Sequence, residues 1–477
     1  MNLVHKLQKL IQVNNSRLLI FVIYCFSHGL VAFSIDGIWW DDWVLFYNSE
    51  ETIRKIFIEA GSFPPYVGDL HVFLTSLGTV SYRAITFACF YISSLNFHVL
   101  IKRYMRCTEQ HALLFTILFT VLPFNLARIA AIDLPYTISL TLFLFAWRML
   151  PKNLAVSLTS FFVSYATQSL LLFMLVVFLV ELSAKFKSKI TKRVIFELSS
   201  LLVLPVLYWL LKNIYFKPYG AYEGYNQNIS FENILTPVKI MIVDLLNFRT
   251  FLPLNLIFFL AVYAILARIN VKDLRREERI KYGVFGLLIL VLGVLPYLLV
   301  GLPPTFRDWN SRLQLLMPFG ASLMIGAIVI GRSRIHKIAL AIVCSISLSF
   351  TSMNYFAYSE DWDKQKGIME GIKKSLVINE CSVILIADKT NVQNVFARYY
   401  RFYEWNAMFK VSTGRQDRLV INSADIDLFN KGHFDSFYTE ELSAANFERS
   451  DRNILCYVDV LYENEEYTLN LKGSLQK

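Results

Sequence analysis

The sequence predicts a helical, multi-span membrane protein carrying a small C-terminal α/β domain, and three observations carry that expectation. Of its 477 residues 55% are hydrophobic and 15% aromatic, with a mean hydropathy of +0.45, far from the composition of a soluble globular protein. Apolar runs recur between basic clusters from Leu18 to Phe350. From Tyr355 the composition becomes that of a soluble chain, so the chain divides into residues 1–354 and 355–477.

A spanning helix needs about 20 mostly apolar residues. Runs of this kind, some of them short, lie at Leu18 to Phe33, Tyr82 to Ile101, Ala112 to Asn125, Leu134 to Leu150, Leu154 to Thr167, Ser169 to Leu182, Phe196 to Leu211, Phe251 to Ala267, Tyr282 to Val300, Leu313 to Ile330 and Ile338 to Phe350, about eleven in all. With the N-terminus inside, the alternate loops carry the Lys and Arg: Lys102, Arg103 and Arg106; Arg148 and Lys152; Lys185 to Arg193; Arg268 to Lys281; and Arg332 to Lys337. This agrees with the excess of basic residues in cytoplasmic loops. An odd number of spans then places the C-terminal domain outside, in a multi-pass protein of the inner (plasma) membrane. The basic lead and first run lack a small-residue cleavage site, so the first run reads as an uncleaved span and not a signal peptide.

The net charge of +10 does not point to nucleic acid, because the basic residues fall in short clusters between apolar runs and not on one soluble face. The six Cys form no C-x-x-C and have no His at zinc spacing. Cys381 and Cys456 border or lie in expected strands of the outer domain, where an oxidising compartment permits a bridge.

The helix or strand pattern of the last segment gives a helix from Asp361 to Leu376, a strand from Ser382 to Ala387, a helix from Val392 to Phe409, and strands at Leu419 to Asn422, Asn453 to Val460 and Tyr467 to Leu471. No Gly-rich phosphate loop or nucleophile motif accompanies them.

The outer segments hold the polar chemistry. Trp39-Trp40-Asp41-Asp42-Trp43 follows the first run directly, so two adjacent carboxylates meet the membrane surface, where charge is costly and like charge makes ionising both harder. Such a pair is either a solvated loop beside an aromatic belt or a functional site. An amphipathic helix follows, with Asn48 and Glu51 suiting a capping box and Ile53, Ile56, Phe57 and Ala60 on one face; Gly61 to Pro65 ends it. Lys212 to Thr250 is rich in Tyr and Gly, which suits a mobile lid or an interfacial anchor. Ser164 to Ser169 interrupts one long apolar run and reads as a tight turn or a break between half-helices. Arg307 and Arg312 lie in a short outer loop against the charge bias and call for an anion, either a substrate phosphate or lipid headgroups.

An acidic pair can accept a proton from a hydroxyl, and arginines can fork onto the oxygens of a leaving phosphate. These are the parts needed to move a sugar from a lipid phosphate to an acceptor alcohol outside the membrane. With Asp41-Asp42 just after the first span, and Arg312-Leu313-Gln314-Leu315-Leu316-Met317-Pro318 as a loose form of an Arg-led Leu-Leu-Pro run at a late span, the chain resembles the GT-C superfamily of integral-membrane glycosyltransferases, which includes bacterial protein-mannosyl, aminoarabinose and serotype-glucosyl transferases. The resemblance covers most of residues 1–354. It implies a polyprenyl-phosphate-linked sugar donor, inversion at the anomeric carbon, Asp41 as base with Asp42 orienting it or touching a metal, Arg312 and Arg307 on the donor phosphate, and Trp40 and Trp43 against the sugar or acceptor. The acceptor would be a glycan, lipid or protein. No cofactor is demanded, and a divalent metal stays open because two adjacent carboxylates alone do not make such a site. The alternatives are a polymerase or ligase of lipid-linked polysaccharide, which acts on the same donors, and a non-enzymatic transporter of lipid-linked sugar, for which more mid-span charge is expected.

Overall fold

The computed structural model describes residues 16–185, 191–224, 234–306, 309–375, 381, 383–390, 399–415, 418–422, 454–463 and 466–476. Its helices, in chain order, are α1 (Ser16–His28, continued by a 3-10 turn Gly29–Ser34), α2 (Asp42–Tyr47), α3 (Glu50–Glu59), α4 (Val67–Ser76), α5 (Thr79–Met105), α6 (Glu109–Val121), α7 (Leu134–Met149), α8 (Leu154–Ser164), α9 (Ser169–Lys185), α10 (Lys192–Tyr215), α11 (Leu235–Leu246), α12 (Leu252–Arg268), α13 (Arg276–Leu299), α14 (Met317–Val329), α15 (Arg334–Lys374) and α16 (Phe402–Thr413). Each of the apolar runs falls on a helix. Among the described residues, however, five helices are long and apolar enough to cross a membrane: Ser16–Ser34, Thr79–Met105, Lys192–Tyr215, Arg276–Leu299 and Arg334–Lys374. The others are cut short by local chemistry. The chain leaves α6 at Leu122-Pro123, and proline lacks the N–H a continuing helix would use. Between α8 and α9 the turn at Tyr165 to Gln168 is closed by Ala166 N–H to Val163 O at 3.2 Å and Thr167 N–H to Ser164 O at 3.2 Å, with Gln168 exposed.

The basic loops share one end of the bundle. There Lys102 pairs with Glu109 at 2.7 Å, Arg103 donates to Arg148 O at 3.0 Å, and Arg279 donates to Ala327 O at 2.7 Å. His111 Nε2 meets Lys272 O at 2.8 Å. The Arg103 and Arg279 contacts satisfy carbonyls at the ends of α7 and α14, a favourable place for cations. The Trp-Asp loop, the turn after α6 and the loop before α14 meet at the opposite end. Ala127 N–H donates to Ser311 Oγ at 2.8 Å and Asn125 N–H to Gln314 Oε1 at 3.2 Å.

Helices α13 and α14 touch backbone to backbone. A Cβ on Gly320 would lie 2.6 Å from Gly286 O and Leu290 N, and one on Gly286 would lie 2.8 Å from Gly320 O and Met324 N. Small residues at this crossing replace side-chain interdigitation by direct van der Waals contact, a habit of membrane helix pairs.

Two local expectations are corrected. The cap of α3 is Ser49 and not Asn48: Ser49 Oγ accepts from Thr52 N–H at 3.2 Å, while the Asn48 side chain turns back to Val44 O. The helix expected to begin at Asp361 is the tail of α15, which runs unbroken for 41 residues through Tyr355. Three further helices, α2, α4 and α11, arise inside segments read as loop.

The C-terminal sheet has strands β1 (Val383–Asp388), β2 (Leu419–Asn422), β3 (Ile454–Glu463) and β4 (Glu466–Gln476) in the order β2-β1-β3-β4. β1 is parallel to β2 and β3, and β4 returns antiparallel to β3. The first part of the helix expected from Val392 lies outside the described residues, and α16 starts at Phe402. Cys381 and Cys456 are joined by a disulfide with a Cα separation of 5.9 Å, tying the chain before β1 to β3. The tail of α15 packs on β4, where Gly371 leaves room for Tyr467 O, 2.7 Å from the place a Cβ would occupy.

Candidate functional site

The Trp-Asp loop is folded back beneath the C-terminal domain. Gly37 permits this because a Cβ there would strike the Trp39 ring at 2.2 Å. Trp40 holds a left-handed φ of 53°, a strain of order 1–3 kcal/mol that persists only where the surroundings over-determine it. The surroundings are the three indoles themselves. Trp39 donates from Nε1 to Tyr358 O at 3.1 Å, Trp43 donates to Gln365 Oε1 at 2.8 Å, and Trp40 packs edge-on against Trp309 and Tyr358. Trp39 and Trp43 are fully buried. The expected sugar-facing place for Trp43 is therefore corrected: its indole is a core group against α15. Trp40, 4% exposed, is a wall residue beside Trp309.

The two carboxylates of the pair have different surroundings. Asp42 is fully buried, and its Oδ1 accepts from Ile132 N–H at 2.9 Å while Oδ2 accepts from Trp39 N–H at 3.3 Å and stands 3.6 Å from Arg83 Nη2. Burial pushes its carboxyl up to about 6, against the pull of Arg83 and of these backbone donors. Asp42 is thus a tie between the Trp-Asp loop and the turn after α6. Asp41 is half-buried, at the N-terminus of α2, and its Oδ1 accepts from Tyr403 Oη at 2.6 Å. Tyr403 comes from α16, so the C-terminal domain supplies a side chain to the pair. Lys410, also on α16, donates to Tyr47 O at the far end of α2 at 2.7 Å.

A third carboxylate joins them. Asp133, one residue before α7 and 1% exposed, has both oxygens buried without a hydrogen-bond partner. Burial raises its carboxyl well above the usual range; the Arg312 charge opposes this, and Asp42 and Asp41 add to it. Buried polar atoms without a hydrogen-bond partner are exceptional in folded proteins, so Asp133 stands apart from its two neighbours. Arg312 sits in a 3-10 turn (Trp309–Gln314) with its guanidinium 4.1 Å over the Trp309 ring. Arg307 lies outside the described residues. Asp41, Asp42, Asp133, Arg312, Trp40 and Tyr403 are therefore brought to one end of the bundle by four separate chain segments. Among the described residues no group of three or more His, Cys, Asp or Glu stands in a metal-holding arrangement.

The sequence reading missed Asp133, Arg83 and Tyr403. Arg83 carried a signal, since a charge at the start of a spanning run is costly unless paired. Asp133 carried a weaker one, a lone acid immediately before an apolar run. Tyr403 carried none, because its meeting with Asp41 depends on the rotation of α15.

The raised carboxyls have a consequence for stability. Asp42 and Asp133 bind a proton more tightly folded than unfolded, so their contribution is full below the usual value near 3.8 and is lost as pH rises through the folded values, about 6 for Asp42 and well above the usual value for Asp133. Relative to Asp133→Asn, the wild-type protein should gain about 3 °C or more in melting temperature between pH 8 and pH 5. Parallel pH profiles for the two proteins would remove this account of Asp133.

No family model, curated protein or solved structure matches the chain.

Proposed function

We propose that this chain is a membrane glycosyltransferase of the GT-C kind, moving a sugar from a polyprenyl-phosphate donor to an acceptor hydroxyl at the end of the bundle that carries the Trp-Asp loop. The observation that supports it best is the gathering of Asp41, Asp133 and Arg312 at that end, with the Asp133 oxygens under the Arg312 charge but without hydrogen-bond partners. In this reading Asp41 takes the acceptor proton as the acceptor oxygen bonds to the anomeric carbon, and the bond from that carbon to the phosphate oxygen breaks with its electron pair going to the phosphate. The configuration inverts. Arg312 meets the charge on the departing phosphate, and a guanidinium does this better than a point charge because its fork matches two oxygens. Asp42 holds Asp41 in place, and Asp133 meets sugar hydroxyls. The bundle would carry about eleven spans, with the basic end cytoplasmic and the C-terminal domain outside the inner (plasma) membrane, as the charge bias requires.

The test is a comparison of lipid-linked saccharides and surface glycans from cells with and without the gene, followed by transfer in proteoliposomes supplied with the accumulated donor. Loss of a sugar from the surface together with build-up of its lipid-linked form is expected. Build-up without transfer in proteoliposomes, but with movement of the donor between leaflets, would replace the enzyme by a transporter.

A further inference from the structure

Beside the acid cluster lies a small, half-open pocket lined by Tyr24, His28, Arg83, Thr86, Arg128 and Tyr355 among others. Arg83 and Arg128 are each 3% exposed. Arg83 spends one nitrogen on Ile129 O and another on Gly37 O at 2.7 Å, and its Nε has no hydrogen-bond partner. Its carboxylate, Asp42, is 3.6 Å away and is shared with two backbone N–H groups. Arg128 lies 3.9 Å over the Phe90 ring, reaches Phe124 O at 3.4 Å, and places Nη2 within 2.9 Å of the His28 ring nitrogens. Among the described residues no carboxylate stands within ion-pair distance of Arg128. Arg83 thus has Asp42 at 3.6 Å and the more distant charge of Asp36, while Arg128 is the guanidinium left without an ion-pair partner among the described residues. A buried cation without a counter-charge costs several kcal/mol.

The remaining polar groups favour an anion as the missing partner. His28 Nε2 meets Thr120 O at 3.1 Å, which places its proton there, and the one lone pair of Nδ1 is then contested by two donors, Tyr355 Oη and Arg128 Nη2, each 2.9 Å away, so that one of them is left to donate elsewhere. The tyrosine O–H and the guanidinium N–H groups are donors, and no acidic side chain lines the pocket. Val31, Phe87 and Ile129 give it an apolar side.

We propose that this pocket is a phosphate-binding site, in which Arg83 and Arg128 fork onto phosphate oxygens and Tyr355 donates a further hydrogen bond. The phosphate belongs to a lipid ester at the membrane surface or to free phosphate; the donor set is the same for both. The site stands on its own geometry and not on sugar transfer, so a failed transfer assay leaves it untouched, and failed phosphate binding leaves the acid cluster untouched.

The experiment is thermal melting of the full-length protein in nonionic detergent, titrated with inorganic phosphate, with farnesyl phosphate and with farnesol, against sodium chloride at equal ionic strength. Phosphate-bearing ligands should raise the melting temperature and chloride should not. Arg128→Gln should raise the half-effect concentration about tenfold or more, as expected for a lost charge-assisted hydrogen bond. Tyr355→Phe, which removes only a hydroxyl, keeps the test valid if Arg128→Gln folds poorly, and it should weaken binding about threefold or more. A response to farnesyl phosphate well below the inorganic phosphate range, with farnesol inert, assigns the site to lipid esters; equal potency assigns it to free phosphate. Equal shifts with chloride, or wild-type half-effect concentrations in the folded variants, overturn the proposal.

Discussion

Asp41→Asn is expected to lower sugar transfer about 10²- to 10⁴-fold, the usual worth of a positioned general base. Its melting temperature should stay within about 2 °C of wild type, because the isosteric amide keeps the hydrogen bond that ties this half-buried position to the C-terminal domain. The amide keeps the shape of the carboxylate, and its oxygen can still accept from Tyr403 Oη, now 2.6 Å from Asp41 Oδ1. What disappears is the ability to take the acceptor proton. Asp42 offers the contrasting result. Asp42→Ala removes the acceptor for Ile132 N–H and Trp39 N–H and the carboxylate beside Arg83, and leaving buried donors unmade costs about 1–3 kcal/mol each. Activity and stability should fall together there. Transfer measured in proteoliposomes beside melting of the same preparations separates the two. Near-wild-type transfer by Asp41→Asn would remove the base, and loss of transfer only in step with loss of stability would make Asp41 a structural group like its neighbour.

Gly320→Val should abolish recovery of folded, monodisperse protein. The side chain would have to enter where Gly286 O and Leu290 N already stand 2.6 Å from the Cβ position, and both obstacles are backbone, which cannot rotate away as a flexible side chain can. Relief requires α13 and α14 to separate along a contact that also carries Gly293 against Leu316. Overpacking a closed core costs typically 1–3 kcal/mol per site and more where backbone is displaced, against a total stability of about 5–15 kcal/mol. Gly283→Ala, on the facing helix α13, is the control, because a Cβ there meets nothing within 4 Å. It should be neutral or stabilising by up to about 1 kcal/mol, from helix propensity alone. Size-exclusion profiles and melting of the three proteins decide the matter, and a well-folded Gly320→Val would contradict the backbone contact.

The helices of the bundle were legible because burial in lipid or protein writes long apolar runs into the chain, and the basic loops were legible because charge marks the run boundaries. Their lengths were less so: Leu122-Pro123 ends a helix whose apolar run continues to Asn125, whereas the turn at Tyr165 to Gln168 falls inside the stretch where the sequence breaks its long run. The Trp-Asp stretch stood out by its chemistry, yet its residues divide in a way that spacing does not reveal. Asp42 and Trp43 face inward and Asp41 less so, because the left-handed Trp40 sets the direction in which the helix starting at Asp42 enters the core. Asp133 was hidden for a related reason. A single acid in a turn has no period, and its importance comes from neighbours that approach from other segments. The two arginines of the phosphate pocket, on α5 and in the turn after α6, likewise converge only in three dimensions.

The unbroken α15 gives the molecule a rotational phase. At about 1.5 Å per residue its 41 residues form a rod of roughly 60 Å, with the bundle gripping one end and the sheet seated on the other. Each residue added or removed between Tyr355 and Gln365 would turn the C-terminal domain by about 100° about the rod, carrying Tyr403 away from Asp41 and Gln365 away from Trp43. Length along this helix is therefore not a neutral variable, as it would be in a flexible tether. Only insertions near whole turns would return α16 to the correct side, and even those would lift it off the Trp-Asp loop by about 5 Å per turn. The domain and the acid cluster are geared to one another through a single shaft, and their chain lengths can change only together.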